Sequence, residues 1–196
     1  MTDAHSNLFF KVNRIKYRGP DSKIGKTCRI RQPELFSIGK NSIIDDFAYV
    51  SCQLQIGHFS HIGSHSSIIG GPKAKVFIGD FVNIAPGVRM AAGMNDYYKG
   101  GLVGPAIPDE YSGMAILDPI EIADHCLFGF NVCVLAGVKL PEGVAVGANS
   151  LLKPDMQYNP WTVYAGTPAK EVGIRYRYDI LDQAQKLMWN VKEGKL

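Results

Sequence analysis

Between Ile56 and Ser67 the chain reads "IGHFSHIGSHSS", which puts His58, His61 and His65 within eight residues. Histidine is the side chain best suited to move a proton near neutral pH, and neutral imidazole is also a zinc ligand. Two chemistries follow: a general base that relieves a nucleophile of its proton, or a metal site needing three converging ligands. His125 stands further along, and His5 falls in the N-terminal segment. Four cysteines, Cys28, Cys52, Cys126 and Cys133, lack CxxC spacing and read as reduced, mostly core thiols. A second polar group gathers in the stretch from Ala91 to Asp118, where Asp96, Tyr97, Tyr98, Asp109 and Tyr111 accumulate. Which of these residues can act together depends on the elements that carry them.

Those elements announce themselves by a six-residue beat. Aliphatic residues recur at Ile38, Ile44, Val50, Ile56, Ile62 and Ile68, resume at Ile78, Ile84 and Met90, and return at Ile122, Phe128, Val134, Leu140, Val146 and Leu152. Ile24 and Ile30 keep the same beat upstream. Six is neither the alternation of an ordinary strand nor the 3.6-residue period of a helix. The residue after the aliphatic is often Gly or Ala, and the fourth after it is small or β-branched, as at Ser42, Ser60, Val82 and Cys126. Each hexad is thus a short strand and a tight corner, and three of them make a triangular coil of 18 residues. Stacked coils bury the aliphatics in columns, so the fold class is all-β, a parallel β-solenoid.

In a solenoid, residues one coil apart are neighbours. His61 then lies between Ile43 and Asn83, with Leu127 next in the column. A histidine against an asparagine, one coil below the long interruption, reads as a base with a hydrogen-bonding partner, or as a corner histidine bonded to Asn83. His58 shares a column with Lys40, Asp80, Asp124 and Glu142, a solvated charged edge; His65 stacks near Phe47, Gly87 and Asn131. His125 joins Asn41, Phe59 and Phe81, which suits packing or an interface. Cys52 has no base beside it on the beat and is a poor nucleophile.

The interruption, residues 91–118, is long for a repeat array, and its tyrosines and "IPDEY" suit an ordered, ligand-lining loop. Tyr97, Tyr98 and Tyr111 can stack on a base or sugar face, while Asp96 and Asp109 can bind hydroxyls or an amine. The organisation expected is an N-terminal segment over 1–23, the solenoid over 24–175 with that loop inserted, and a helix over 176–196. In the last, Ile180, Ala184, Leu187, Met188 and Val191 share a face and Asp179 suits the N-cap. A net charge of +3 with no long basic run gives no indication of a nucleic-acid partner. Neither a signal peptide nor a membrane-spanning run is visible, so a cytoplasmic chain without membrane insertion is expected.

The repeat, with "VAVGANSLLKPD" and "WTVYAGTPAKEVGIR" at its end, resembles the hexapeptide-repeat acyltransferases over roughly Ile24 to Arg175. The resemblance implies a left-handed parallel β-helix, a homotrimer, and acetyl-CoA as co-substrate. Nearest are the sugar acetyltransferases, including those that acylate nucleotide-linked amino sugars for surface polysaccharides. It implies that CoA lies in a groove between subunits, its pantetheine arm on backbone around Gly129, Gly147 and Ala148, and its phosphates near Lys153, Lys170 and Arg175. It places His61 near the acyl donor and Asn83 and the loop residues at the acceptor. The chain departs from the family at both usual base positions, where Cys52 and the "GMND" turn ending in Asp96 stand instead of histidine. His61 and Asp96 are therefore the catalytic candidates. An amine tolerates a weak or displaced base, which favours N-transfer over O-transfer. Two other readings compete: a zinc protein of the gamma-carbonic-anhydrase type, and a noncatalytic trimeric scaffold. The four histidines His58, His61, His65 and His125 occupy different columns, which tells against the zinc protein, and no metal site is expected.

Overall fold

A computed structural model describes residues 7–98 and 100–195; His5 lies outside them. Three sheets of six, eight and six strands form the faces of a triangular prism. Strands of consecutive coils pair in parallel and in register, as in Ile24, Ile44, Ile62, Ile84, Phe128, Val146 and Tyr164 on the second face. The coil is the hexapeptide β-helix that the beat implies. Every aliphatic on the beat, from Ile24 to Leu152, is at most 4% exposed. Pairing begins at Tyr17–Arg18 against Ser37–Ile38, upstream of the boundary expected at residue 24.

Two-residue strands give little room for error at the corners, and two kinds of ladder hold them. Buried serines bridge coils: Ser42 Oγ donates to the Gly57 carbonyl at 2.7 Å and accepts the Ser60 N–H at 3.0 Å, and Ser60 repeats the motif with Gly79 and Val82. The column of His58 is a second ladder and not the solvated charged edge expected. His58 Nδ1 accepts the Lys40 N–H at 2.9 Å, Asp80 accepts the His58 N–H at 2.6 Å, and Asp124 accepts the Asp80 N–H at 2.7 Å. Each side chain caps an amide that the turn below leaves without a strand partner.

A third column is aromatic. Phe59, Phe81, His125 and Trp161 all adopt φ between 53° and 62°, a left-handed conformation that costs free energy outside glycine. Stacking offsets that cost: centroids are 5.4 Å apart for Phe59–Phe81, 5.1 Å for Phe81–His125 and 5.8 Å for His125–Trp161. Gly143 stands in the coil between His125 and Trp161, and its missing side chain is what lets the indole in. A Cβ there would lie 2.3 Å from the ring.

The inserted loop starts as an antiparallel ribbon, Gly93–Asn95 against Ala115–Leu117, and carries a short turn at Asp109–Tyr111. It leaves the prism at the edge shared by the third and first faces, after Arg89–Ala91 and before Ile120–Ile122. The chain ends in a hairpin, Thr162–Gly166 with Ala169–Ile174, and a helix, Tyr178–Lys192. Ile180, Ala184, Leu187, Met188 and Val191 are its half-buried residues, as the helical pattern requires, together with Asn190. Arg177, not Asp179, occupies the N-cap; Asp179 sits in the first turn, where its charge still suits the helix dipole.

Because both φ (+74°) and space at Gly143 exclude a side chain, Gly143→Ala should destabilise the fold by about 1–3 kcal/mol. It should also shift tryptophan emission to the red as Trp161 leaves its stack. Denaturant unfolding followed by fluorescence checks both; an unchanged midpoint and spectrum would refute the role given to Gly143.

Candidate active site

His61 opens a two-residue strand on the second face, paired with Ile43 below and Asn83 above, as the beat requires. Alternation turns the Ile62 side chain inward and the His61 ring outward. The outward column runs Lys23, Ile43, His61, Asn83, Leu127, Ala145 and Val163 in register, continuously apolar only above Asn83. His61 is half-exposed and tied at both ring nitrogens. Nε2 lies 2.9 Å from Asp45 Oδ2, and Nδ1 lies 3.1 Å from Asn83 Oδ1. Asp45 belongs to the coil below and was not legible as a site residue from the beat alone.

The thiol at the expected base position is inert. Cys52 is buried and donates only to the Ile68 carbonyl, and burial pushes its pKa up to about 12. The same cause raises Cys28 and Cys126 to about 12. At the other position, Asp96 half-buried at the end of the ribbon accepts the Tyr98 N–H at 2.9 Å, the geometry of an Asx turn. Tyr97, Tyr98 and Tyr111 are 82%, 98% and 62% exposed. Asp109 opens the short turn and is also exposed.

The edge that carries the loop is the one opposite the second face of the prism. One chain therefore keeps His61 and Asn83 on one side, and Asp96 with the tyrosines on another. The remaining histidines each stand in their own column: His58 in the capping ladder, His65 stacked at 5.0 Å on Phe47, and His125 buried in the aromatic stack. Among the described residues no group of three His, Cys, Asp or Glu side chains converges as a metal site would.

At the C-terminal coils, Gly129 and Gly147 occupy a column where successive turns touch; a Cβ on Gly129 would lie 2.6 Å from the Ala148 nitrogen. Their own N–H groups are spent on Val146 and Tyr164. Ala148 is exposed, and its N–H makes no backbone hydrogen bond among the described residues. Lys153 pairs with Asp155 at 3.1 Å, while its backbone grips the Tyr158 hydroxyl from both sides. Lys170 is exposed on the terminal hairpin, with no ion pair among the described residues. Arg175 points elsewhere: its guanidinium donates to the His125 and Gly143 carbonyls and lies over Trp161, and burial lowers its pKa. It closes the aromatic column.

This architecture has close counterparts. The dTDP-4-amino-4,6-dideoxy-D-glucose acyltransferase of Escherichia coli is 36% identical over 165 residues, covering 82% of this chain and 83% of that protein. The chain belongs to the hexapeptide-repeat sugar acyltransferase family. Among solved structures, AntD, an N-acyltransferase from Bacillus cereus in complex with dTDP and 3-hydroxybutyryl-CoA, superposes with a TM-score of 0.84 at 28% identity. The match covers 95% of this chain and 99% of AntD. A substituted form of AntD, solved with dTDP-4-amino-4,6-dideoxyglucose and coenzyme A, matches with the same TM-score of 0.84, over 95% of this chain and 100% of that one. The putative lipopolysaccharide biosynthesis O-acetyl transferase WbbJ of Escherichia coli K12 is 29% identical over 145 residues, 70% of this chain and 67% of that one. No protein-family model matches the chain. Among the described residues no helix is long and apolar enough to cross a membrane.

The thiol environments give a direct test. Cys133 alone is exposed, so an aromatic disulfide reagent at pH 8 should label one thiol in the native protein and four after unfolding. In the unfolded chain the other three lose protons near the ordinary value of 9.0, and in the folded protein only near 12. The folded state therefore binds more protons between those values, and stability should fall as pH rises from about 9 towards 12. Rapid native labelling of more than one thiol would contradict these environments.

Proposed function

We propose that the protein transfers an acyl group, acetyl in the simplest case, from acyl-CoA to the amine of a nucleotide-linked amino sugar. The observation that carries this reading is the superposition along nearly the whole chain on an N-acyltransferase solved with such a sugar and coenzyme A, together with the 36% identical relative of the same acceptor class. A cytoplasmic enzyme supplying surface polysaccharide is the setting that fits, given the relation to WbbJ. Transfer to a sugar hydroxyl is the second reading, and the same relation favours it.

The site residues divide by role. The acceptor amine attacks the thioester carbon; as the C–N bond forms and the C–S bond breaks, the amine loses a proton and the departing sulfur gains one. His61 takes the amine proton, with Asn83 beside it. Asp96 binds the incoming ammonium or acts as the base in its own right. Tyr97, Tyr98 and Tyr111 cover the base or sugar face, and Asp109 holds hydroxyls. On the donor side the Ala148 N–H meets the pantetheine arm along the Gly129 and Gly147 column. Lys170, exposed on the terminal hairpin, meets the phosphates, and Lys153 contributes by exchanging Asp155 for phosphate. Arg175, held by corner carbonyls, supports the groove from behind.

Since His61 and the loop lie on opposite sides of one prism, the site is assembled from one subunit's face and another's loop in a homotrimer. Thiol release from acetyl-CoA should be stimulated by nucleotide-linked amino sugars and not by hydroxyl sugars. His61→Ala and Asp96→Ala should each lower kcat/KM by about 10²–10⁴-fold. Acylation of hydroxyl sugars alone would reject N-transfer, and full activity in both variants would reject these residues.

Mixing supplies an independent check. Trimers reassembled from equal amounts of His61→Ala and Asp96→Ala chains should regain about a quarter of wild-type activity, the chance that an intact face meets an intact loop. No recovery in mixed trimers, or a monomer by sedimentation, would rule out the shared site.

A further inference from the structure

One column of the second face breaks its own rule. The residues following the buried aliphatics there are Gly25, Asp45, Gly63, Ala85, Gly129 and Gly147, each donating its N–H to the coil above. Small residues predominate because the coils come close at this corner. A Cβ on Gly25 would lie 2.4 Å from the Asp46 nitrogen, and one on Gly63 would lie 2.6 Å from the Pro86 nitrogen. Asp45 alone of the six carries a polar side chain, and that side chain reaches His61 Nε2 at 2.9 Å.

We propose that Asp45 is a positioning residue for the acyl transfer: it holds His61 in the Nε2–H tautomer, so that Nδ1, beside Asn83, takes the proton from the acceptor amine. The inference rests on the reading of His61 as the base. A carboxylate has no hydrogen to give, so the nitrogen facing Asp45 must carry one, and the lone pair of the neutral ring is left on Nδ1. Asn83 imposes no such choice. Its amide can turn either atom towards Nδ1, donating to the neutral ring and accepting from the charged one. Asn83 is also exposed, so it can give way to the amine. The two contacts differ in kind: Asp45 selects the tautomer and fixes the ring, while Asn83 accommodates both charge states. The side of the ring on which the acceptor must arrive follows, and it is the side nearer the coil that bears the loop.

The test is Asp45→Asn, which keeps the shape but offers an amide that can donate to Nε2 and admit the opposite tautomer. It should lower kcat by about 10²–10⁴-fold, the upper end being the loss seen where an Asp→Asn change puts a general-base histidine in the wrong tautomer. KM for acetyl-CoA and the melting temperature should stay near wild type. Long-range ¹H–¹⁵N correlation of histidine-labelled protein should show the Nε2–H pattern for His61 in the wild type and a gain of Nδ1–H in the variant. This readout needs no substrate, and a merely structural carboxylate would not move it. A wild-type kcat in Asp45→Asn, or an Nδ1–H ring in the wild type, overturns the inference while leaving the His61 reading intact if His61→Ala is inactive. Full activity in His61→Ala would overturn both.

Discussion

Coils stacked one strand spacing apart, about 4.8 Å, give every residue the same positions of the adjacent coils as its axial neighbours. Chemistry at any point must therefore be compatible along a column, and the structure resolves that demand differently on each. Interior columns accept aliphatics of varied size, with Phe128 and Met90 taking the place of isoleucine. Corner columns need an acceptor for a turn amide, and Ser42, Ser60, His58, Asp80 and Asp124 supply it with three different chemistries. The aromatic column holds four rings in a backbone conformation none would choose alone. Cooperation along the axis is the common cause, and it makes single departures from a column informative.

The coil, its interior and the helix face were legible because each rests on a period, and a period survives ignorance of side-chain direction. The pairing of His61 with Asn83 was legible for the same reason, since both occupy one register position. What escaped were contacts that cross the register. Asp45 meets His61 from a position one coil below and two residues away along the hexad from Ile43, the register partner of His61. Trp161 reaches His125 by passing over Gly143, a glycine that reads as an ordinary turn residue. Arg175 sits beside the cationic end of the chain in sequence, yet folds back onto carbonyls of earlier coils. In each case the side chain bends along the axis, and linear spacing does not encode that bend.

Asp45 nevertheless had a signal available. At its hexad position other coils of the face carry glycine or alanine, so "NSIIDDF" contained a carboxylate where the backbone tolerates almost nothing. Reading which residues obey a repeat identifies the scaffold; reading which one disobeys it points to the site. The contrast with Cys52 sharpens this. Cys52 lies where family resemblance expected a base, but it is buried with a thiol pushed to about 12 and behaves as one more interior residue.

A filled prism also dictates where reactions can occur. Its interior is filled by one continuous cluster of buried apolar side chains from the Ile24 coil to the Leu152 coil. Catalysis is confined to outward side chains, which one convex chain cannot enclose. The solenoid can supply rigid placement, with His61 held at both nitrogens, but it cannot exclude water or surround a transition state. The loop supplies the opposite: exposed aromatic surface on a projecting ribbon, with no partner surface of its own to cover. Each half lacks what the other has. In the shared site proposed above, several copies around one axis would bring a rigid face against a covering loop, leaving variation in the acceptor to the loop and not to the scaffold.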